Sequence, residues 1–235
     1  DQSDIFFTCH EFSYNKIAEA YEPYLGLIRQ MFHRYCSGTL EEFMEECDVY
    51  KLQRPVFESY FENGFCERTE QILIDEVEYE QERMRNSIVT MLQKLSEIRP
   101  VVIVLNRFQL ASKSTMQLTN RLLQTKNKNI GIVLGVNDVQ SIPEFAHEEW
   151  DAICESMDDR NMVYHIGNAG RNMEPDVMDY YSDYESDDGY RKLNNLVYFL
   201  DFDQADHHLS KIERRIKFDN FTISEKKHYQ LLLLQ

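Results

Sequence analysis

Asn106 and Arg107 stand at the carboxyl end of a run of five apolar residues, Val101-Val102-Ile103-Val104-Leu105. In an α/β fold, the carboxyl ends of parallel strands are where ligands and reacting groups gather. The chemistry this pair can offer is limited. An asparagine accepts a hydrogen bond but supplies no negative charge for a metal, and an arginine puts a cation where a general base would have to be anionic. Gln109 follows shortly after, and Asn137 closes a second apolar run, Ile130–Val136. Asn137 is of a type that can touch a phosphate by hydrogen bond. Both asparagines are equally at home as turn or cap residues, and that reading stays open here.

The remaining reactive residues form no site of their own. His207 and His208 are adjacent, so on a helix they diverge by about 100° and cannot share a metal. Cys9-His10 has no further ligand at metal spacing, and His165 lies in a strand pattern. No serine or cysteine sits in a nucleophile elbow. The eight glycines include none that precedes Lys-Ser or Lys-Thr, so no G-x-x-x-x-G-K-[ST] phosphate loop is present. Gly131 and Gly135 fall inside a strand pattern, where close backbone packing explains them. The acidic stretch 174–188 lacks the alternating ligands and closing Glu of a calcium loop.

Elements that could position Asn106 and Asn137 are legible from periodicity. Residues 4–9 read as a short buried strand, 101–105 as a strand covered on both faces, and 129–137 as another buried strand. Pro23 opens a helix whose Leu25, Ile28, Phe32 and Tyr35 form one apolar stripe. Residues 39–98 read as helical with interruptions at Pro55 and Gly64. In the long segment 69–98, Ile72, Val77, Met84, Ile88, Met91, Leu92 and Leu95 face inward, with the methionines as core filler. A helix capped by Ser112 or Ser114 carries Leu118, Leu122 and Leu123 inward. A helix with Trp150, Ile153 and Met157 leads to a fifth strand at Met162–Ile166.

Two stretches resemble a known family. In Val101–Thr115, the strand, Phe108, Gln109, Ala111, Ser114 and Thr115 look like the Walker B segment of STAND-type signalling ATPases. Cys9 to Met31, with Ala20-Tyr21-Glu22-Pro23-Tyr24, looks like that family's second core strand and the turn that follows it. Where the family has its two acidic residues, this chain has Asn106 and Arg107. The resemblance implies an α/β, parallel-sheet, P-loop NTPase-like core over residues 1–172 with its first strand missing. It also implies a vestigial nucleotide site lined by Asn106, Arg107, Gln109 and Asn137, with ATP or ADP and Mg²⁺ as the cofactor of a longer protein. The absent first strand would be central, so residues ahead of Asp1 are expected to belong to the native protein.

Residues 173–189 are read as an acidic linker, with seven acids and three tyrosines between Glu174 and Asp188. Beyond it, 190–235 is read as an α-helical hairpin like the opening of a solenoid. Leu193, Leu196, Val197 and Leu200 form one stripe, and Ala205, Leu209, Ile212 and Ile216 a second. A third helix starts at Ser224 and ends in Leu231–Leu234.

A net charge of −16 argues against a nucleic-acid surface, which needs clustered Lys and Arg. No run of about eighteen apolar residues predicts a membrane span, and no secretory signal opens the chain. The five cysteines include no C-x-x-C pair, which suits reduced thiols in a cytoplasmic protein. The expected function is a regulatory and interaction module without efficient hydrolysis, whose partner is another protein or an output domain of the same polypeptide. Two other readings are an active ATPase whose phosphate loop lies upstream of Asp1, and a scaffold for which nucleotide is irrelevant.

Overall fold

The computed structural model of the chain describes residues 5–13, 16–66, 77–125, 127–137, 142–158 and 187–216. Three strands, β1 (Phe6–Glu11), β2 (Val101–Asn106) and β3 (Ile130–Gly135), form one parallel sheet in the order β1-β2-β3. The register aligns Phe6, Val101 and Ile130 at one end and Glu11, Asn106 and Gly135 at the other. Parallel neighbours require crossover connections. Helices α1 (Tyr24–Tyr35), α2 (Leu40–Glu46), α3 (Arg54–Asn63) and α4 (Val77–Ile98) lie between β1 and β2, and α5 (Lys113–Gln124) lies between β2 and β3. Then come α6 (His147–Asp158), α7 (Asp187–Tyr198) and α8 (Phe202–Ile216). The chain is therefore α/β.

The sheet buries one face. Phe6, Val101, Ile103 and Leu105 are buried, and Ile130, Ile132 and Leu134 pack against the same core. On the opposite face Phe7 is 64% exposed and Val133 53%, while Val102 and Val104 are half-buried. The sequence predicts β2 and β3 covered on both sides, and the difference is topological. Successive parallel strands laid down in one direction with right-handed crossovers put every crossover on the same face. β3 accordingly alternates between half-buried and exposed positions instead of being buried throughout.

The helices follow their apolar stripes. α1 buries Leu25, Ile28 and Phe32 as expected, and α4 buries Met84, Ile88, Met91, Leu92 and Leu95 completely. Pro55 does not interrupt a helix. It sits in the first turn of α3, where a missing N–H costs nothing, and the break falls before it, over residues 47–53. Gly64 does end α3, with φ 80°, and its N–H donates to the Tyr60 carbonyl at 2.8 Å.

α5 begins where the sequence placed it, capped by Ser112. The Ser112 Oγ accepts from the Thr115 N–H at 3.3 Å and donates to the Glu19 carbonyl at 2.9 Å. This fully buried hydroxyl thus caps a helix and ties it to the turn before α1. Ser112→Ala is expected to cost about 1–2 kcal/mol of unfolding free energy in urea melts.

α7 and α8 pack on each other, and Leu193 and Leu196 of the first, with Phe199 directly after it, join the central core. Asp187 and Asp188, the last two residues of the acidic stretch, already fall in the first turn of α7. The expected strand at 162–166, residues 174–186 and the helix expected from Ser224 lie outside the described residues. No helix among the described residues is long and apolar enough to cross a membrane.

Candidate functional site

Asn106, Arg107, Gln109 and Asn137 are all delivered to the carboxyl edge of the sheet, by different devices. Asn106 is the last residue of β2, aligned with Glu11 and Gly135. Its Nδ2 lies 3.7 Å from Cys9 Sγ, and its carbonyl accepts from the Phe12 N–H at 3.0 Å. Gly135 packs closely beside it: a Cβ there would sit 2.9 Å from Asn106 Oδ1, so the Asn106 amide would have to turn aside.

Arg107 adopts a left-handed backbone, φ 55° and ψ 42°, uncommon for a residue with a Cβ. That turn reverses the chain sharply after the strand, and Leu110 N–H closes it onto the Arg107 carbonyl at 2.9 Å. The guanidinium swings back to β1, with Nε 3.3 Å from Glu11 Oε1. Gln109 is 1% exposed, and its Oε1 accepts from the Asn137 N–H at 3.4 Å, so it links the β2 turn to the end of β3. Asn137 itself is exposed.

The four residues therefore make two separate pairings. Asn106 and Arg107 gather with Cys9 and Glu11, and Gln109 joins Asn137 from beneath. The strand end presents a neutral amide and a cation, and the neighbouring carboxylate, Glu11, is paired with that cation. Such a set can hydrogen-bond an anion, but it offers no pair of carboxylates to hold a divalent metal or to accept a proton from water. Among the described residues, no group of three or more His, Cys, Asp or Glu could hold a metal ion.

A second polar cluster escaped the sequence reading. Asp201, 4% exposed, caps α8 and also accepts from the Ser114 N–H of α5 at 3.0 Å. Burial raises its pKa, and hydrogen bonds from Ser114 and the Gln204 backbone oppose that rise. Lys113 Nζ reaches Asp203 Oδ2 at 2.6 Å and Glu149 Oε1 at 3.8 Å. Burial works against its charge, but the Asp203 and Glu149 carboxylates outweigh burial and raise its pKa. Gln117 donates to Glu149 at 2.7 Å and accepts from Arg85 at 2.7 Å. Tyr21, Gln81, Ser114 and Leu200 complete the walls of a cavity of about 30 Å³, room for one water molecule. The signal for Asp201 was present as an acid directly before the amphipathic run of α8. That pattern marks a cap, but nothing in it says that the same carboxylate serves a second helix.

The fold and site thus define an α/β protein in which the described residues form a three-stranded parallel sheet whose strand ends carry amide and cationic groups. No family model matches the chain, and neither a curated protein nor a solved structure matches it.

Proposed function

We propose that this chain is the degenerate core of a STAND-type signalling ATPase, serving as a regulatory and interaction module without efficient hydrolysis. The observation that carries the reading is the β2 terminus. Asn106 and Arg107 stand at the positions where the resembled family keeps its acidic pair, and the guanidinium of Arg107 is paired with Glu11. Sequential parallel strands and the α5 cap at Ser112 support the same assignment. Nucleotide, where bound, is held by hydrogen bonds from the strand ends and acts as a structural ligand whose occupancy is read by a partner protein or an output domain. The partner is protein and not nucleic acid, because a phosphate backbone is held by clustered Lys and Arg, whereas Arg107 at the strand end is already paired with Glu11.

The test is Mg-ATP binding by calorimetry together with phosphate release, both on the full gene product. Measurable binding with turnover on the order of 10⁻³ per second or slower, and faster release in the Asn106→Asp/Arg107→Asp double variant, is the expected result. Brisk turnover by the unmodified protein overturns the reading in favour of a working ATPase. Absence of binding leaves a scaffold for which nucleotide is irrelevant.

A further inference from the structure

Among the described residues, β1 is an edge strand with no neighbour on its outer side. On its inner side, Phe6 N–H donates to the Pro100 carbonyl at 2.7 Å and Phe12 N–H to the Asn106 carbonyl at 3.0 Å. Strand alternation then turns the N–H and C=O groups of Phe7 and Cys9 away from β2. Those outward groups have no hydrogen-bond partner among the described residues. Proteins usually blunt such an edge with proline, lysine or a bulge. The β1 sequence Phe-Phe-Thr-Cys-His-Glu has no proline or lysine, and its register against β2 runs unbroken from Phe6 to Glu11.

A groove of about 560 Å³ runs along this edge, and its two walls differ in chemistry. On the side of the open sheet face stand Ile5, 55% exposed, and Phe7. On the side of the covered face stands Tyr35 at the end of α1, its ring 6.1 Å from that of Phe6. Two arginines flank that ring. Arg34 Cζ is 5.4 Å and Arg99 Cζ 4.7 Å from its centroid, and Arg99 also donates to the Tyr35 hydroxyl at 3.2 Å. Arg34 is exposed and makes no ion pair among the described residues, in a chain with sixteen more acids than bases.

We infer that the outer edge of β1 receives an extended peptide of a partner protein, alternating acidic and apolar residues, as an additional strand of the sheet. The backbone of the incoming strand pairs with Phe7 and Cys9. Period-2 alternation then sends one set of its side chains toward Arg34 and the other onto Ile5 and Phe7. The overall negative charge of the chain does not prevent this. At physiological ionic strength, charges beyond about 8 Å are largely screened, so the exposed Arg34 decides the local sign of the interaction. None of Asn106, Arg107, Gln109 or Asn137 lines this surface; Cys9, whose Sγ lies against Asn106, takes part in it through its outward backbone.

The probe is a fluorescein-labelled octapeptide alternating valine with aspartate or glutamate, followed by anisotropy with the full chain. Saturable binding is expected that weakens with added salt, falls at least about tenfold in Arg34→Glu, and falls further for a peptide N-methylated on alternate backbone amides. Cys9→Pro removes an outward N–H while leaving the β2 ladder intact, and it is expected to weaken binding without unfolding the protein. Equal binding of the N-methylated peptide, of a valine–lysine peptide, or by Arg34→Glu overturns the proposal, as does no binding at about 1 mM peptide. Self-association of the chain that Arg34→Glu abolishes and that blocks the peptide assigns the edge to a second copy instead, which also overturns it.

Discussion

Phe199→Ala is expected to lower the free energy of unfolding by about 3–5 kcal/mol, the cost of emptying a fully packed aromatic site. Phe199 is completely buried at the end of α7, and three rings surround it edge-on. Tyr21 lies at 6.2 Å, Phe57 at 5.8 Å and Tyr60 at 5.6 Å, centroid to centroid. Those rings come from the turn before α1 and from α3, so the side chain wedges the carboxyl-terminal helices into the amino-terminal half of the molecule. Aromatic pairs in this geometry add about 0.5–1.5 kcal/mol each beyond area burial, and the surrounding rings are too constrained to collapse into the void. The measurement is urea and thermal unfolding of wild type, Phe199→Ala and Phe199→Leu. A midpoint drop of roughly 6–20 °C is expected for the alanine variant and a smaller one for leucine. A change below about 1 kcal/mol would mean that α7 is not seated in this core.

Asp201→Ala is expected to cost about 2 kcal/mol near neutral pH and more in mild acid, the reverse of the usual carboxylate behaviour. Two terms oppose each other. Removing the carboxylate leaves the Ser114 and Gln204 N–H groups without an acceptor, at about 1–3 kcal/mol for a buried donor. It also relieves the desolvation that makes burial the largest influence on this group. The sign follows from linkage. The folded-state pKa is raised above the unfolded value, so the folded form holds the proton more tightly. The contribution of Asp201 to stability is full below the ordinary carboxylate pKa and declines as pH rises through the raised one. The gap between wild type and Asp201→Ala should therefore widen as pH falls through that interval. Urea titrations at several pH values measure it, and a gap that narrows in acid would show that Asp201 is held ionised by its two donors.

Much of this architecture was legible because it rests on local pattern. Ser112 as a cap, the stripe of α4 and the strand at 101–105 are each specified by side chains within a few residues of one another. The placement of Asn106 and Arg107 at a strand end followed from the same logic. What the pattern could not carry was partnership over distance. Periodicity says that Leu193 and Leu196 share a helix face, but not that Phe199 finishes in a pocket built by Tyr21, Phe57 and Tyr60. An apolar run reads the same whether one face of its strand is covered or both, so the exposure of Phe7 and Val133 had no signature. The pairing of Arg107 with Glu11 depends on the register of β1 against β2, which neither strand encodes alone.

Glu19 gathers three distant parts of the chain. Its carbonyl accepts from Ser112, and its carboxylate accepts from the Asn195 amide at 3.0 Å, across 176 positions of sequence. Asn195 in turn accepts from the Cys66 N–H at 2.7 Å. During synthesis at about 5–20 residues per second, the stretch from Glu19 to Asn195 takes roughly ten to thirty-five seconds to emerge. Once Tyr60 has emerged, the aromatic pocket of Tyr21, Phe57 and Tyr60 has no Phe199 to fill it for the rest of that interval, and β1 stands without its neighbour β2 for about half of it. Nascent chains of this protein thus carry a long exposure to aggregation, and their yield should depend on chaperones that bind short apolar segments early and release them late.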